Sequence, residues 1–126
     1  PNSPIYWLNE IYNEMNANIE NKYRKKILVG INFYGYHWNG NSNERIKPII
    51  NHEIISLLKN DINITKYKWV WDSNDAEHYL LNKNNDNERI YYPTLKSISD
   101  RLSFAQNNGN GIAIWEVGQG LEYFND

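Results

Sequence analysis

The feature that most constrains the fold is a short apolar segment late in the chain, Gly111-Ile112-Ala113-Ile114-Trp115-Glu116-Val117-Gly118-Gln119-Gly120. Its apolar core is too short for a membrane span or a long helix, and glycines bound it on both sides, which predicts a buried strand of a parallel sheet. Ligands of α/β sheets and barrels collect at the carboxyl ends of the strands. Trp115 and Glu116 are therefore expected where a substrate would bind. The alternative is that Trp115 fills the core, because tryptophan is mostly buried.

A second segment, residues 25–38, has the same pattern. Two lysines precede an apolar run, and the segment ends in Tyr34, Tyr36 and Trp38. Aromatic faces gathered at one rim suit the apolar faces of sugar rings, nucleobases or other planar ligands, and sugar binding is the commonest use. The alternative is that these aromatic residues close the core at the strand ends.

Composition limits the classes of protein to which the chain can belong. With 126 residues, 40% of them hydrophobic, it has the length of one domain or of part of a larger one, and it can bury a core. The net charge of -2, with no basic cluster beyond residues 22–26, argues against a nucleic-acid partner. No apolar run reaches about 18 residues, so we expect no membrane span.

Metal and cofactor sites find little support in the sequence. The chain has no cysteine, which excludes disulfides, thiol catalysis and metal sites built on cysteine. His37, His52 and His78 are scattered and lack the HExxH spacing of a zinc site. We therefore expect neither a metal nor a cofactor.

Hydrophobic periodicity predicts three helices and five strands. The helices are expected at 5–23, 48–60 and 93–108, and the strands at 27–34, 67–72, 76–82, 89–92 and 112–116. Alternation in the middle three strands favours antiparallel pairing, with residues 83–87 as a hairpin tip. A Gly/Asn loop is expected before the second helix, and Asn108 and Gly109 are expected to end the third.

A helix between two buried parallel strands is typical of a βα barrel or a doubly wound sheet, but two strands cannot close a sheet. A full barrel shares its closure among eight strands and is typically about 250 residues long. Two strands alone would have open edges that invite pairing with another chain. A chain of half that length would lack part of the barrel, so we expect that this chain is not an independent fold.

Several motifs, taken together, resemble those of a known family. They are Pro1-Asn2-Ser3-Pro4, Lys26 to Gly35, Val70-Trp71-Asp72-Ser73 with Glu77-His78, Tyr92-Pro93-Thr94-Leu95-Lys96-Ser97-Ile98, and Gly111 to Gly120. Single pieces such as Phe33-Tyr34-Gly35 occur in many barrels, whereas YPTLKS and IWEVGQG together are specific. In this order and spacing the chain resembles family 18 of the glycoside hydrolases, within it most closely the chitinase domain-containing protein branch.

The resemblance implies an α/β fold that is the C-terminal part of a TIM (β/α)8 barrel, with Ile27 to Tyr34 as strand seven and Ile112 to Glu116 as strand eight. It divides the chain into a barrel helix and strand seven (1–38), a small α+β insertion that walls a glycan groove (39–92), and a barrel helix and strand eight (93–126).

The resemblance also implies a function. Active members carry an Asp-rich motif that ends in the acid Glu on strand four and use the substrate's own N-acetyl group as nucleophile. No DxxDxDxE pattern occurs in this chain, so we expect no catalytic residue in it. The resemblance also implies a branch of the family in which the catalytic motif is degenerate. The implied function is therefore the binding of a saccharide similar to a chitin oligosaccharide.

By resemblance, Trp115 matches the tryptophan that forms the floor beneath the central sugar. Tyr34 and Trp71 are the next candidates for stacking or groove walls. Asp72, Glu77 and Glu116 could accept hydrogen bonds from sugar hydroxyls. For Asp72 and Glu77 the alternative role is stronger: pairing with a nearby lysine or arginine, or bonding the backbone.

Two other functions stay open, an active family 18 hydrolase of N-acetylglucosamine polymers and a protein-binding scaffold. Relatives of this branch are lysosomal or secreted, which is the localisation that the resemblance implies. The sequon Asn63-Ile64-Thr65 fits a secretory route.

Overall fold

A computed structural model describes residues 1–40, 46–60 and 65–124 of the chain. Asn63 and Ile64 of the sequon lie outside these ranges, as does part of the expected Gly/Asn loop. Within the described ranges, no helix has the length and apolar character needed to cross a membrane.

The described residues form a mixed α/β fold with two separate sheets. β1 and β7 form a parallel pair, and the other five strands form an antiparallel sheet in the order β3-β2-β6-β5-β4. In chain order the elements are α1 (Ile5–Asn18), α2 (Asn21–Arg24), β1 (Leu28–Asn32), β2 (Gly35–Asn39), β3 (Ile46–Ile49), α3 (Asn51–Lys59), β4 (Tyr67–Asp72), β5 (Glu77–Asn82), β6 (Glu88–Tyr91), α4 (Leu95–Asn107), β7 (Gly111–Trp115), and the 3-10 turns Val117–Gln119 and Glu122–Phe124.

The parallel pair confirms the central expectation from the sequence. Its register runs from Leu28 opposite Gly111 to Asn32 opposite Trp115. α4 covers one side of the pair, where Ile31 and Phe33 pack with Ile98. As expected, Asn108 and Gly109 close α4: Asn108 is the C-cap, and Gly109 follows with a φ of 67°, which glycine adopts without strain.

The expectation that β7 is buried is wrong for this chain. Ile112 is 41% exposed, Ile114 is 37% exposed and Trp115 is 72% exposed. Leu28, on the neighbouring strand, is 59% exposed. The physical reason is that the described residues leave much of this strand pair without a covering layer, although its residues have the apolar composition of a buried sheet.

The antiparallel sheet begins earlier than the sequence suggests. β2 starts at Gly35, where the sequence predicts the aromatic end of the preceding strand, and β3 was predicted as loop and helix. The antiparallel pairing of β4, β5 and β6 is confirmed. The first helix ends at Asn18, not Tyr23, and a separate short helix follows.

One face of the antiparallel sheet forms the larger core. α3 packs on this face through Ile54, which is 1% exposed. The buried members of this core are Ile49, Ile54, Tyr67, Leu80, Ile90 and Tyr92.

Arg101 of α4 joins the two sheets. Its guanidinium is buried, forms an ion pair with Glu77 (Nη2 to Oε2, 3.1 Å), and donates hydrogen bonds to the carbonyl oxygens of Ser3 (2.7 Å) and Ala76 (2.9 Å). A buried charge is tolerated only when it is paired and hydrogen-bonded, so these contacts hold the β4–β5 turn against α4.

Glu88, the first residue of β6, is a second buried charge in the antiparallel sheet. Its carboxylate accepts hydrogen bonds from the Tyr67 hydroxyl, the Asn82 amide (2.6 Å) and Lys66 (3.2 Å), and it lies 3.1 Å from His37. Burial alone would raise the pKa of Glu88, but the hydrogen bonds from Tyr67, Asn82 and Lys66 lower it to about 2.

We expect Glu88→Gln to destabilise the protein in a pH-dependent manner. Because the pKa of Glu88 is lowered on folding, its charge contributes stability above the ordinary carboxyl pKa, and this contribution is lost as the pH falls towards 2. The difference between the urea midpoints of the parent and the variant should therefore be largest near pH 6, clearly smaller at pH 3, and lost only as the pH falls towards 2.

Asp86→Asn, in the exposed turn between β5 and β6, is the control for loss of one carboxylate. A gap between the parent and Glu88→Gln that stays constant from pH 6 to pH 3 would contradict the stabilising role of the Glu88 charge.

Candidate functional site

The carboxyl ends of β1 and β7 lie side by side. The backbone N–H of Phe33, just after β1, donates to the carbonyl oxygen of Trp115 (2.8 Å). The Trp115 side chain is 72% exposed, the peptide bond between Trp115 and Glu116 is cis, and Glu116 is exposed. The structure thus presents a free indole ring and a carboxylate at this strand end.

The chain passes from β1 into β2 through only Phe33 and Tyr34. The amide of Asn32 donates to the Tyr34 carbonyl oxygen (2.7 Å), which fixes this short link. The Tyr34 ring packs edge-on against Tyr36, with ring centroids 5.6 Å apart. Hydrogen bonding with Tyr36 and burial raise the pKa of Tyr34, so the Tyr34 hydroxyl stays neutral near pH 7.

Aromatic side chains cover the sheet face that turns away from α3. Tyr91 lies directly opposite Tyr36 on β2 and Tyr79 on β5, and directly opposed residues point to the same face. The rings of Tyr79 and Tyr91 are 5.2 Å apart. We call Tyr36, Trp38, Tyr79 and Tyr91 the aromatic face. A groove of about 470 Å³ runs along it, lined by Pro1, Tyr36, Trp38, Ile46 and Tyr91.

Trp71 lies on the opposite side of the sheet from the aromatic face. It pairs with His78, which alternates with Tyr79 along β5. The ammonium of Lys96 lies 4.0 Å from the centre of the Trp71 ring, and the His78 ring lies 4.6 Å from it. His78 Nδ1 is 2.9 Å from the hydroxyl of Thr94, the N-cap of α4. The structure therefore brings Tyr34 near Tyr36 but does not bring Trp71 to them.

Asp72 and Glu77 contact groups of the chain itself, as their alternative roles predict: Asp72 bonds the backbone, and Glu77 pairs with an arginine. Asp72 Oδ1 accepts from the backbone N–H groups of Asn74 (3.0 Å) and Asp75 (3.2 Å), which shapes the β4–β5 turn. Glu77 is 4% exposed and pairs with Arg101; burial raises its pKa, and Arg101 opposes that rise. Sugar binding by these two acids stays a prediction.

The sequence interpretation missed Tyr79 and Tyr91. The sequence contains a signal for them, because Tyr36 and Trp38 have the two-residue spacing of one strand face. The register of the β5–β6 hairpin sets Tyr79 opposite Tyr91 on that same face. Recognising them required β2 to be identified as a strand. In the described parts of the chain, no group of three or more His, Asp or Glu side chains is close enough to hold a metal ion.

A larger apolar groove lies elsewhere. It has a volume of about 640 Å³ and runs between α3 and residues 120–123, with Ile54, Ile55 and Leu58 on its α3 side. It contains none of the predicted site residues. The groove along the aromatic face is smaller, but it has the exposed Trp38, the half-buried tyrosine rings and the neighbouring strand ends that suit a ligand site.

Comparison with known proteins decides the family. The model of the family described as "Glycosyl hydrolases family 18" matches residues 1–120. The chain belongs to glycosyl hydrolase family 18. The family resemblance drawn from the sequence is thereby confirmed.

Solved structures show the same fold at low sequence identity. The spore cortex-lytic enzyme SleL of Bacillus megaterium QM B1551 is similar with a TM-score of 0.72 and 20% identity over 94% of this chain. The class V chitinase of Nicotiana tobaccum has a TM-score of 0.65 and 17% identity over 86% of this chain. The family 18 N-acetylglucosaminidase of Paenibacillus barengoltzii has a TM-score of 0.57 and 22% identity over 75%.

This chain spans only part of each of these family 18 structures. It covers 27% of the Bacillus chain, 34% of the Nicotiana chain and 30% of the Paenibacillus chain. The rest of the barrel is absent from these 126 residues, and at these identities the likeness establishes the fold.

We expect Gly35→Ala to destabilise the site. A Cβ at residue 35 would lie 2.0 Å from the Tyr91 carbonyl oxygen and 2.9 Å from the Tyr92 ring, so β2 would have to move away from β6. Overpacking of this kind costs about 1–3 kcal/mol. Urea unfolding of the complete protein should show this loss.

Gly118→Ala is the matched control, because its Cβ would meet nothing closer than the Glu116 carboxylate at 3.6 Å. Equal unfolding midpoints for the two variants would contradict the close approach at Gly35.

Proposed function

We propose that this chain belongs to a catalytically degenerate, chitinase-like barrel that recognises saccharides similar to chitin oligosaccharides. The observation that carries the proposal is the 72% exposed indole of Trp115 at the carboxyl end of β7, next to the link that leads into the aromatic face.

In this proposal Trp115 is the floor of the site. The C–H face of a pyranose ring would lie on the indole, where apolar burial and the ring quadrupole both favour it. Tyr34 and the aromatic face would form one wall, with tyrosine hydroxyls as donors and acceptors for sugar hydroxyls. Glu116, exposed beside Trp115, would accept a hydrogen bond. Contacts from Trp71, Asp72 and Glu77 stay predictions.

We further propose that β1 and β7 are strands seven and eight of a TIM barrel, with residues 39–92 as an insertion that walls the groove. The exposed apolar residues Leu28 and Ile112 support this assignment, because a closed barrel would cover them. The partner that covers them would be the remaining N-terminal part of the same barrel.

Degeneracy separates this proposal from that of an active hydrolase. The sequence has no DxxDxDxE pattern, so a catalytic acid would have to come from outside this chain. The chitinase and the N-acetylglucosaminidase among the similar structures favour hydrolysis of N-acetylglucosamine polymers as the second candidate. As a third candidate, a protein-binding scaffold would require neighbouring side chains to cover Trp115.

Assignment to the chitinase domain-containing protein branch and a lysosomal or secreted location are also parts of the proposal. They rest on the motifs YPTLKS and IWEVGQG and on the sequon at Asn63.

We expect chitin oligosaccharides to quench the tryptophan fluorescence of the complete protein, with no reducing sugar released. Trp115→Ala should weaken binding at least about tenfold, because loss of a central aromatic anchor commonly costs that much or more. Titration with chitotetraose and a reducing-sugar assay on the same samples are the measurements.

Trp69→Ala is the matched control. Trp69 is 50% exposed but lies on the opposite side of the sheet from the aromatic face, so its loss should leave the affinity unchanged. Released sugar would support the hydrolase instead. No binding of any oligosaccharide by the parent would support the scaffold.

A further inference from the structure

Arg89 is a cation within the aromatic face. It lies on β6, directly opposite Trp38 on β2 and Leu81 on β5, so its side chain extends from the same side of the sheet as Trp38. Tyr91 lies two residues after Arg89 on β6, and it lines the groove together with Trp38. Arg89 therefore lies on the sheet face along which the groove runs, directly opposite Trp38, although it is not one of the residues that line the groove.

The Arg89 guanidinium is held by aromatic rings and by no carboxylate among the described residues. Its central carbon lies 5.4 Å from the centre of the Tyr79 ring. Burial raises the pKa of Tyr91, and the adjacent Arg89 opposes this rise. Among residues 1–40, 46–60 and 65–124, no acidic side chain forms an ion pair with Arg89, and its buried Nε has no hydrogen-bond acceptor.

The other two arginines within residues 1–40, 46–60 and 65–124 have different partners. Arg101 is paired with Glu77, and Arg24 donates to the Asn16 carbonyl oxygen (3.3 Å). A guanidinium that is stacked and oriented, and that pairs with no carboxylate of the described residues, loses less side-chain entropy on binding an anion, because its fork is already positioned.

We infer that Arg89 makes the aromatic face selective for saccharides that carry a carboxylate. This inference rests on the proposed saccharide binding and adds the class of sugar. A sugar ring would stack on Trp38 or Tyr91, and its carboxylate would accept hydrogen bonds from the Nη atoms of Arg89. A neutral sugar would gain the stacking alone.

The test uses two matched probes and the complete protein. One probe is chitotetraose, and the other is the same tetramer with its C6 hydroxyl groups oxidised to carboxylates. The parent should bind the oxidised tetramer about tenfold more tightly, the effect expected for one charge-assisted hydrogen-bonded contact that is partly solvated. This preference should fall as salt is raised, since the ion pair is screened.

Arg89→Gln should abolish the preference and leave the affinity for neutral chitotetraose within about twofold, while Arg89→Lys should restore part of it. Lys68→Gln is the matched control, because Lys68 is exposed on the same face but two strands away from Arg89, roughly 10 Å. It should keep most of the preference.

The outcomes separate this inference from the proposed function. Equal affinity of the parent for both tetramers, or an equal loss in Lys68→Gln and Arg89→Gln, would overturn the selectivity and leave saccharide binding in place. Binding of neither tetramer by the parent would overturn both. Circular dichroism shows whether Arg89→Gln is folded. If it is not, the preference of Arg89→Lys for the oxidised tetramer decides whether Arg89 gives the selectivity.

Discussion

The backbone ladder between β1 and β7 is the constraint on which the rest of the structure depends. Its hydrogen bonds set Asn32 beside Trp115, although most of the chain separates these residues in sequence. The elements from β2 to α4 form the connection between the two strands, and α4 is also a layer on them. Parallel strands require a long crossover, and in this chain that crossover contains a complete antiparallel sheet before α4 returns the chain. The same ladder thus determines where Trp115 lies relative to the aromatic face.

Buried polar contacts tie the antiparallel sheet to the parallel pair. Arg101 reaches from α4 to the β4–β5 turn, and Tyr92 donates a hydrogen bond to the Gln119 carbonyl oxygen (2.9 Å). Burial raises the pKa of Tyr92 to about 12, so its hydroxyl remains a donor across the physiological range. Each contact would leave a desolvated group without a partner if the two sheets separated. This cost favours a single relative position of the antiparallel sheet and the parallel pair.

The sequence predicts the elements whose patterns are local. The helical period and the N-cap Thr94 define α4, and the alternation of Tyr67, Trp69 and Trp71 defines β4. The sequence pattern does not separate β2 from β1, because only Phe33 and Tyr34 lie between the two strands. No turn residue before Gly35 marks the boundary. Local patterns resolve element boundaries poorly where two sheets are joined so closely.

The predicted site residues also fall into those that a local pattern can locate and those that it cannot. Trp115, Glu116 and Tyr34 follow strand ends, which a sequence pattern can locate. Trp71 and Glu77 depend on which side of the sheet each residue faces and on whether a cation lies nearby, and both are properties of the three-dimensional register. Lys96 and Arg101, which contact these two residues, come from a helix much later in the chain. No spacing within the β4–β5 hairpin reveals those partners.

The two-residue link between β1 and β2 has a consequence for how relatives of this chain can diverge. Its carbonyl oxygen at Tyr34 accepts hydrogen bonds from the amides of Asn2 (3.3 Å) and Asn32 (2.7 Å), so the link is anchored from both sides. Added residues elsewhere, such as in the β5–β6 turn, would lengthen a loop at the far end of the sheet. A single residue added between Asn32 and Gly35 would instead rotate the aromatic face relative to Trp115. Ligand range in such proteins should therefore evolve by exchange of side chains on β2 and β6, with the length of this link held constant.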